Sequence, residues 1–338
     1  MNAFCLCYAC RTMKTDLARA GVWGIAFGAI FVGAGASGQG YPAKPVRLVV
    51  IGPPAGGADV IARPIAQRMT ESMGQSVVVD NRPGAGGIVG SQVVAGSPPD
   101  GYTVLLATAS GFSIAPFLAR KRPYDPVQDF TSVTLLATAP MMVTVHPSLP
   151  ARTVKELIGL ARARPRELLY ASNGAGSFSH LTTEMFSRAA GITMVHVPYK
   201  GGTPAVIDTM SGSTQVLITA LPTLIAQVKA GRLRALAVTS SKRSSAVPET
   251  PTVAESGLSG FESVQWYGIF TPRNTPAAIA DRLYVEIRKA AESPAVKAPL
   301  AQEGAHLVVT GPQALAEFLR ADIARWQKVI REANIVLE

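Results

Sequence analysis

Cysteine, metal-binding side chains and charge are all scarce in this sequence. Its three cysteines, Cys5, Cys7 and Cys10, fall in the first ten residues. The rest of the chain therefore has no disulfide framework, no cysteine nucleophile and no thiolate ligand. Its four histidines, His146, His180, His196 and His306, have no second histidine or carboxylate at metal-ligand spacing. Charged residues make up 16% of the chain. Lysine and arginine nowhere cluster with interleaved aromatics, which argues against nucleic acid as a partner. No metal and no cofactor is expected.

The N-terminal segment explains where the cysteines go. Arg11, Lys14 and Arg19 precede an apolar stretch from Gly21 to Ala36, and Ala34-Gly35-Ala36 offers a small-residue cleavage site. Residues 1–36 read as a secretory signal peptide, with 1–12 an upstream extension and Met13 the better start. The apolar run is too short and too glycine-rich for a membrane span. Cleavage would remove three basic residues and one acidic residue, leaving 29 basic and 21 acidic side chains, a net charge of +8. An exported basic protein that attracts small anions fits this balance, and about 300 residues suffice for two domains.

What is present is a repeated layout of apolar strand, glycine-rich turn and helix. Leu168–Ala171 runs through Asn173-Gly174-Ala175-Gly176-Ser177 into a helix from about Ser179. Such a turn aims unpaired backbone N–H groups at an anion. Val46–Ile51 runs in the same way through Pro53-Pro54-Ala55-Gly56-Gly57, with Asp59 placed to cap the next helix. This first loop lacks the Gly-Lys-Ser/Thr of a nucleotide loop and the spaced glycines of a dinucleotide fingerprint. Two anion-ready loops point to two lobes facing each other across a cleft.

The remainder alternates short strands with amphipathic helices. Strands are expected at Ser76–Asp80, Tyr102–Ala107, Val195–Val197, Gln215–Ile218 and Leu236–Thr239. Capping boxes are expected at Thr153 with Glu156, Thr252 with Glu255, and Thr310 with Gln313. Thr203 is placed to cap a helix with Pro204 at its first position. The pattern predicts an α/β fold with parallel-rich sheets and helices on both faces, and ligands of such sheets sit beyond the carboxyl ends of the strands. Trp266, Tyr267 and Phe270 read as core, and Asp208 as a solvated helix position.

Ser177 and His180 could imitate a nucleophile and its base. There is no Gly-x-Ser-x-Gly elbow, however, and no nearby acid to orient the histidine. Glu184, one turn on, is placed to pair with His180. A structural or ligand-orienting histidine is the better reading, with an exported Ser/His hydrolase as the rival.

The stretches VVVDNRPGAGGIVG, SPPDGYTVLLAT, YASNGAGSFSHLTTEMF, VHVPYKGGTPAVIDTMSG, GRLRALAVTS and VPETPTVAESG together resemble the Bug-type solute-binding receptors of tripartite tricarboxylate transporters. The similarity runs from about Tyr41 to the C-terminus. It implies a two-lobed periplasmic binding protein of type II, a Venus flytrap that closes on a small organic carboxylate and works with integral membrane transporter subunits. A monomer is expected. Presentation of the ligand to a membrane sensor is an alternative role. A crossing near residues 138–143 and a return near 266–270 would divide the chain into lobe 1, residues 41–140 plus 268–338, and lobe 2, residues 141–267.

Members of that family hold the carboxylate with backbone amides, hydroxyls and ordered water. The residues expected to hold it here are Gly52, Pro54, Ala55, Gly56 and Asp59 in the first loop. Thr108 and Ser110 follow the third strand. Asn173, Gly176, Ser177, Ser179 and His180 come from the second loop, and Thr219 follows the strand Gln215–Ile218. The chain departs from the family pattern in several places. Ile51 and Gly52 stand where the first loop usually has Pro and Phe, and Ala55 replaces a Gly. Thr219 and Ala220 replace an Asp-Asn pair, which removes the acidic partner for a ligand ammonium. Pro64, inside an expected helix, should kink it or delay its start.

Overall fold

Residues 40–333 are described by the computed structural model; the expected signal peptide lies outside them. The apolar run Val46–Val50 forms the buried strand β1, followed by helix α1 (Gly57–Met73). Strand β2 (Val77–Asn81) leads through a short turn, Ala85–Gly87, into α2 (Ile88–Ala95). Next come β3 (Thr103–Thr108), a widened turn at Ser110–Ile114, α3 (Ala115–Leu118) and the long strand β4 (Phe130–Val145). Helix α4 (Val154–Ala163), β5 (Leu169–Ser172), α5 (Phe178–Ala190) and β6 (Val195–Pro198) follow. Then come α6 (Gly202–Met210), β7 (Val216–Ala220), α7 (Leu221–Lys229) and β8 (Arg234–Val238). The chain returns along β9 (Val264–Pro272) and ends with α8 (Ala277–Glu292), α9 (Pro294–Gln302), β10 (His306–Leu307) and α10 (Pro312–Ala333).

The strands run in the order β2-β1-β3-β9-β4-β7-β5-β6, with β8 and β10 also paired to β4. This is the two-lobed α/β architecture, and β4 serves both halves. Its residues Phe130–Pro140 pair with β9, whereas Met141–Val145 pair with β7 and β8. The expectation of parallel sheets holds for β1, β2 and β3 and for β5, β6 and β7. The crossing strands differ: β4 and β9 are antiparallel to each other, β9 to β3, and β4 to β7. Strands that carry the chain out of one half and back into it must run in opposite directions. Trp266 anchors β9 from its other face, donating to Asp322 Oδ2 of α10 at 2.7 Å. Burial pushes the Asp322 carboxyl up from its ordinary range, against the hydrogen bonds it accepts.

Several local expectations are corrected. Pro64 neither breaks nor delays α1, which runs from Gly57 through to Met73. Its buried face of Ile61, Ala62, Ile65, Ala66 and Met69 outweighs one missing N–H. Asp59 is not the cap; Gly56 holds that position and Asp59 lies in the first turn. Helix α6 begins at Gly202, so Thr203 is inside it, and its hydroxyl donates instead to the Pro54 carbonyl at 3.0 Å. Thr153 does cap α4, accepting from the Glu156 amide. Thr252 and Glu255 exchange the reciprocal bonds of a capping box, at 3.0 and 2.8 Å, but close only a series of turns. Thr310 Oγ1 finds no partner, and α10 starts at Pro312.

Candidate functional site

Both strand–loop–helix units deliver their helix N-termini to one cavity of about 380 Å3. Gly57 and Ala58 bring the start of α1, and Ser177, Phe178 and Ser179 the start of α5. The cavity also collects two further helix starts, whose place at the site was not expected from the sequence: Gly201 and Gly202 at α6, and Ala220 and Thr223 at α7. Each carries N–H groups without an intrahelical acceptor and the positive end of a helix dipole. A third glycine-rich segment, Pro83–Gly87, closes another side.

Side-chain charge in the wall is sparse. Among the described residues, Lys200 is the charged one lining the cavity, and no Asp or Glu lines it. Tyr267 is buried, and burial alone pushes its hydroxyl pKa up. Tyr199 is raised to about 12 by burial and by its bond to Asp208. Asp208 is thus a partner of a cavity-lining tyrosine rather than simply a solvated position. The site favours a bound anion and offers no carboxylate to a bound cation.

Of the residues singled out from the sequence, Gly52, Gly56, Thr108, Ser110, Asn173, Ser177, Ser179 and Thr219 line the cavity. Ser177 caps α5 by accepting from the His180 amide at 3.2 Å, which leaves its hydroxyl proton for a ligand. Ser110 Oγ accepts from the Phe178 amide at 2.9 Å. Thr219 donates to Asn173 Oδ1 at 3.2 Å, a pairing of two neutral side chains in the wall. Ser179 donates its hydroxyl to the Ile218 carbonyl at 2.5 Å, tying α5 to β7.

Pro54, Ala55, Gly56 and Asp59 separate in role. Pro54, Ala55 and Asp59 are outside the lining; they shape the loop. Asp59 accepts from the Ala55 amide at 2.9 Å, Arg63 at 2.8 Å and Asn81 at 3.0 Å, while Asn81 also donates to the Gly52 carbonyl. Burial pushes the Asp59 carboxyl up, but the Arg63, Ala55 and Asn81 bonds and the Arg63 charge hold it below its ordinary range. Ala55 has φ 58°. A Cβ is strained in that left-handed region, and the Asp59 bond to its amide holds the residue there.

Gly176 and His180 also stand behind the wall. His180 Nδ1 accepts from the Gly176 amide at 3.1 Å. Its ring stacks on His196 with centroids 4.0 Å apart, and His196 stacks on Tyr170 at 4.9 Å. His196 Nε2 bonds Ser172 Oγ at 2.6 Å, and Ser172 Oγ accepts from the Gly174 amide at 3.1 Å. Glu184 does not pair with His180 by hydrogen bond; it accepts from the Tyr170 hydroxyl at 2.5 Å. Burial lowers the His180 pKa, and burial with the neighbouring His180 lowers that of His196 to about 4. Ser177 Oγ meets the backbone of His180 while the ring is engaged elsewhere, so these residues form no nucleophile–base pair.

Sequence reasoning missed Gln265, Tyr267, Met141, Lys200 and Thr223, all in the lining. Tyr267 alternates with Trp266 and reads as core because β9 is buried on both faces. Contact across the cleft depends on two glycines. A Cβ on Gly57 would come within 2.9 Å of the Tyr267 hydroxyl oxygen, and one on Gly201 within 2.8 Å of the Pro53 ring. Among the described residues, no group of three or more His, Cys, Asp or Glu is placed to hold a metal.

A family model described as the tripartite tricarboxylate transporter family receptor matches residues 61–335. BugT of Bordetella pertussis (strain Tohama I) is 36% identical over 322 residues, spanning 94% of this chain and 98% of BugT. Among solved structures, R. palustris Rpa4515 with adipate matches with TM-score 0.85 and 38% identity, covering 88% of this chain and 99% of that one. MatC from Rhodopseudomonas palustris with bound malate matches with TM-score 0.81 and 28% identity, covering 86% and 100%.

Proposed function

The chain belongs to the tripartite tricarboxylate transporter receptor family, and from that premise we propose that it binds a small organic carboxylate lacking an ammonium group. As a family of receptors, its members bind rather than turn over their ligands. In this reading the protein is exported to the periplasm, acts as a monomer, closes on its ligand without metal and hands it to a membrane transporter of the tripartite type. Residues 41–140 with 268–338 form one lobe and 141–267 the other, and β4 and β9 are the hinge.

One observation carries the ligand class: helix N-termini ring a cavity to whose lining the described residues contribute no acidic side chain. Backbone N–H groups and hydroxyls suit a carboxylate. A buried ammonium would need an acidic partner, because leaving that charge unpaired is costly. The adipate of Rpa4515 and the malate of MatC support a carboxylate without an ammonium. The volume suits a small acid.

The test is calorimetry of the mature protein against a panel of mono-, di- and tricarboxylates and aromatic acids, with and without chelator. Saturable binding of one stoichiometric equivalent, unchanged by chelator, is expected. Binding abolished by chelator would overturn the metal-free part, and binding of no carboxylate would overturn the ligand class.

A further inference from the structure

The side chains of β9 alternate across the sheet. Trp266 faces α10, where its indole meets Asp322, while Gln265 and Tyr267 face the cavity. Gln265 is 8% exposed, and its Oε1 is buried with no hydrogen-bond partner. A buried amide oxygen left unpaired is unfavourable, and this one is in the wall of the ligand cavity, which also carries the apolar side chains of Met141 and Phe178. The groups that could complete it belong to the ligand.

The chemistry of the wall narrows those groups. A hydrocarbon leaves the amide unpaired. A carbonyl or an ionised carboxylate cannot donate to Oε1. An ammonium can donate, but it would be buried among helix N-termini with Lys200 nearby and no acid in the lining. A hydroxyl is neutral, donates to Oε1 and can also accept from Nε2, so it completes the amide without burying a charge.

Resting on the carboxylate reading above, we propose that Gln265 is the specificity-determining residue of the cleft and selects hydroxycarboxylates over their unsubstituted counterparts. The helix starts and Ser177 hold the carboxylate, and Gln265 reads the hydroxyl. A site built to hydrogen-bond a hydroxyl discriminates against the analogue lacking it, because its own polar group is then left unpaired.

Calorimetry on matched pairs that differ by one hydroxyl tests this: malate against succinate, lactate against propionate, mandelate against phenylacetate. The unmodified protein should prefer the hydroxylated member of the pair that fits the cavity by about tenfold. Gln265→Met, close in size and without hydrogen-bonding groups, should remove that preference by weakening the hydroxylated member while the other stays within about twofold. Gln265→Leu should do the same.

Equal affinities within every pair for the unmodified protein would overturn the proposal without any variant, since a bound water would then be completing the amide. A preference that survives in a folded Gln265→Met protein would overturn it too. Failure of every acid in the set and in the broader panel to bind would instead overturn the carboxylate reading on which the proposal rests.

Discussion

Ser177 serves the helix and the cavity at once. Its oxygen caps α5 through the His180 amide, and its side chain lines the cavity. Ser177→Ala should weaken binding of the preferred carboxylate by about 0.5–1.5 kcal/mol, the net value of one neutral hydrogen bond. It should also cost about 1 kcal/mol of stability through the lost cap. Calorimetry and denaturant unfolding separate the two, and unchanged affinity would remove Ser177 from the site. At this scale the sequence was informative where a residue acts through its own loop, as Ser177 and Asn173 do. It was silent on Gln265 and Lys200, which reach the cavity from the return strand β9 and the β6–α6 turn. His180 and Asp59 are close to the ligand loops in sequence but turn away to hold those loops from behind. A residue's neighbourhood in sequence does not fix the direction of its side chain.

The units of strand, loop and helix were legible because their signals are local: an apolar run, glycines, then amphipathic periodicity. The crossing strands were less so. β4 is 16 residues long and pairs in both halves, and nothing local in its composition says which partner each segment takes. Helix α1 shows tertiary burial overriding a local rule at Pro64. Pro64→Ala should therefore restore an N–H to the helix and stabilise the protein by about 1–3 kcal/mol, read from urea unfolding. An unchanged or lowered midpoint would mean that the proline fits α1 at no cost.

The stacked rings of His180, His196 and Tyr170 behind the second loop make a separate element-scale prediction. Both histidines have pKa values lowered by burial, His196 to about 4. Glu184 on α5, which works against the His180 shift, and Tyr170 on β5 are the other titratable groups against the stack. The unfolded chain binds protons at these histidines first, so their contribution to stability is complete above the ordinary histidine value of 6.5. It is lost as pH falls from there towards about 4. Protonated His180 also cannot accept from the Gly176 amide at Nδ1. Unfolding midpoints should therefore fall over that window, and His180→Gln with His196→Gln should flatten the slope. A slope that persists in the double variant would assign it to other groups.

At the scale of the whole molecule, the two anion-ready loops meet across one cavity, with the Pro53 ring close against Gly201 and the Thr203 hydroxyl on the Pro54 carbonyl. The two-lobed plan could be read from the repeated loops and from the family resemblance. The convergence of the α6 and α7 starts on the same cavity could not, since it depends on how β5, β6 and β7 order themselves in the sheet.

Four helix starts and a lining without an acid make the central claim a matter of charge: the ligand is an acid with no ammonium. Calorimetry on acids paired with their amino counterparts, succinate against aspartate and 3-phenylpropionate against phenylalanine, tests that claim most directly. The account predicts that whichever pair fits the cavity binds at least about tenfold tighter without the ammonium, because no acidic side chain among the described residues lines the site to receive it. Tighter binding of the amino acid in either pair would contradict it.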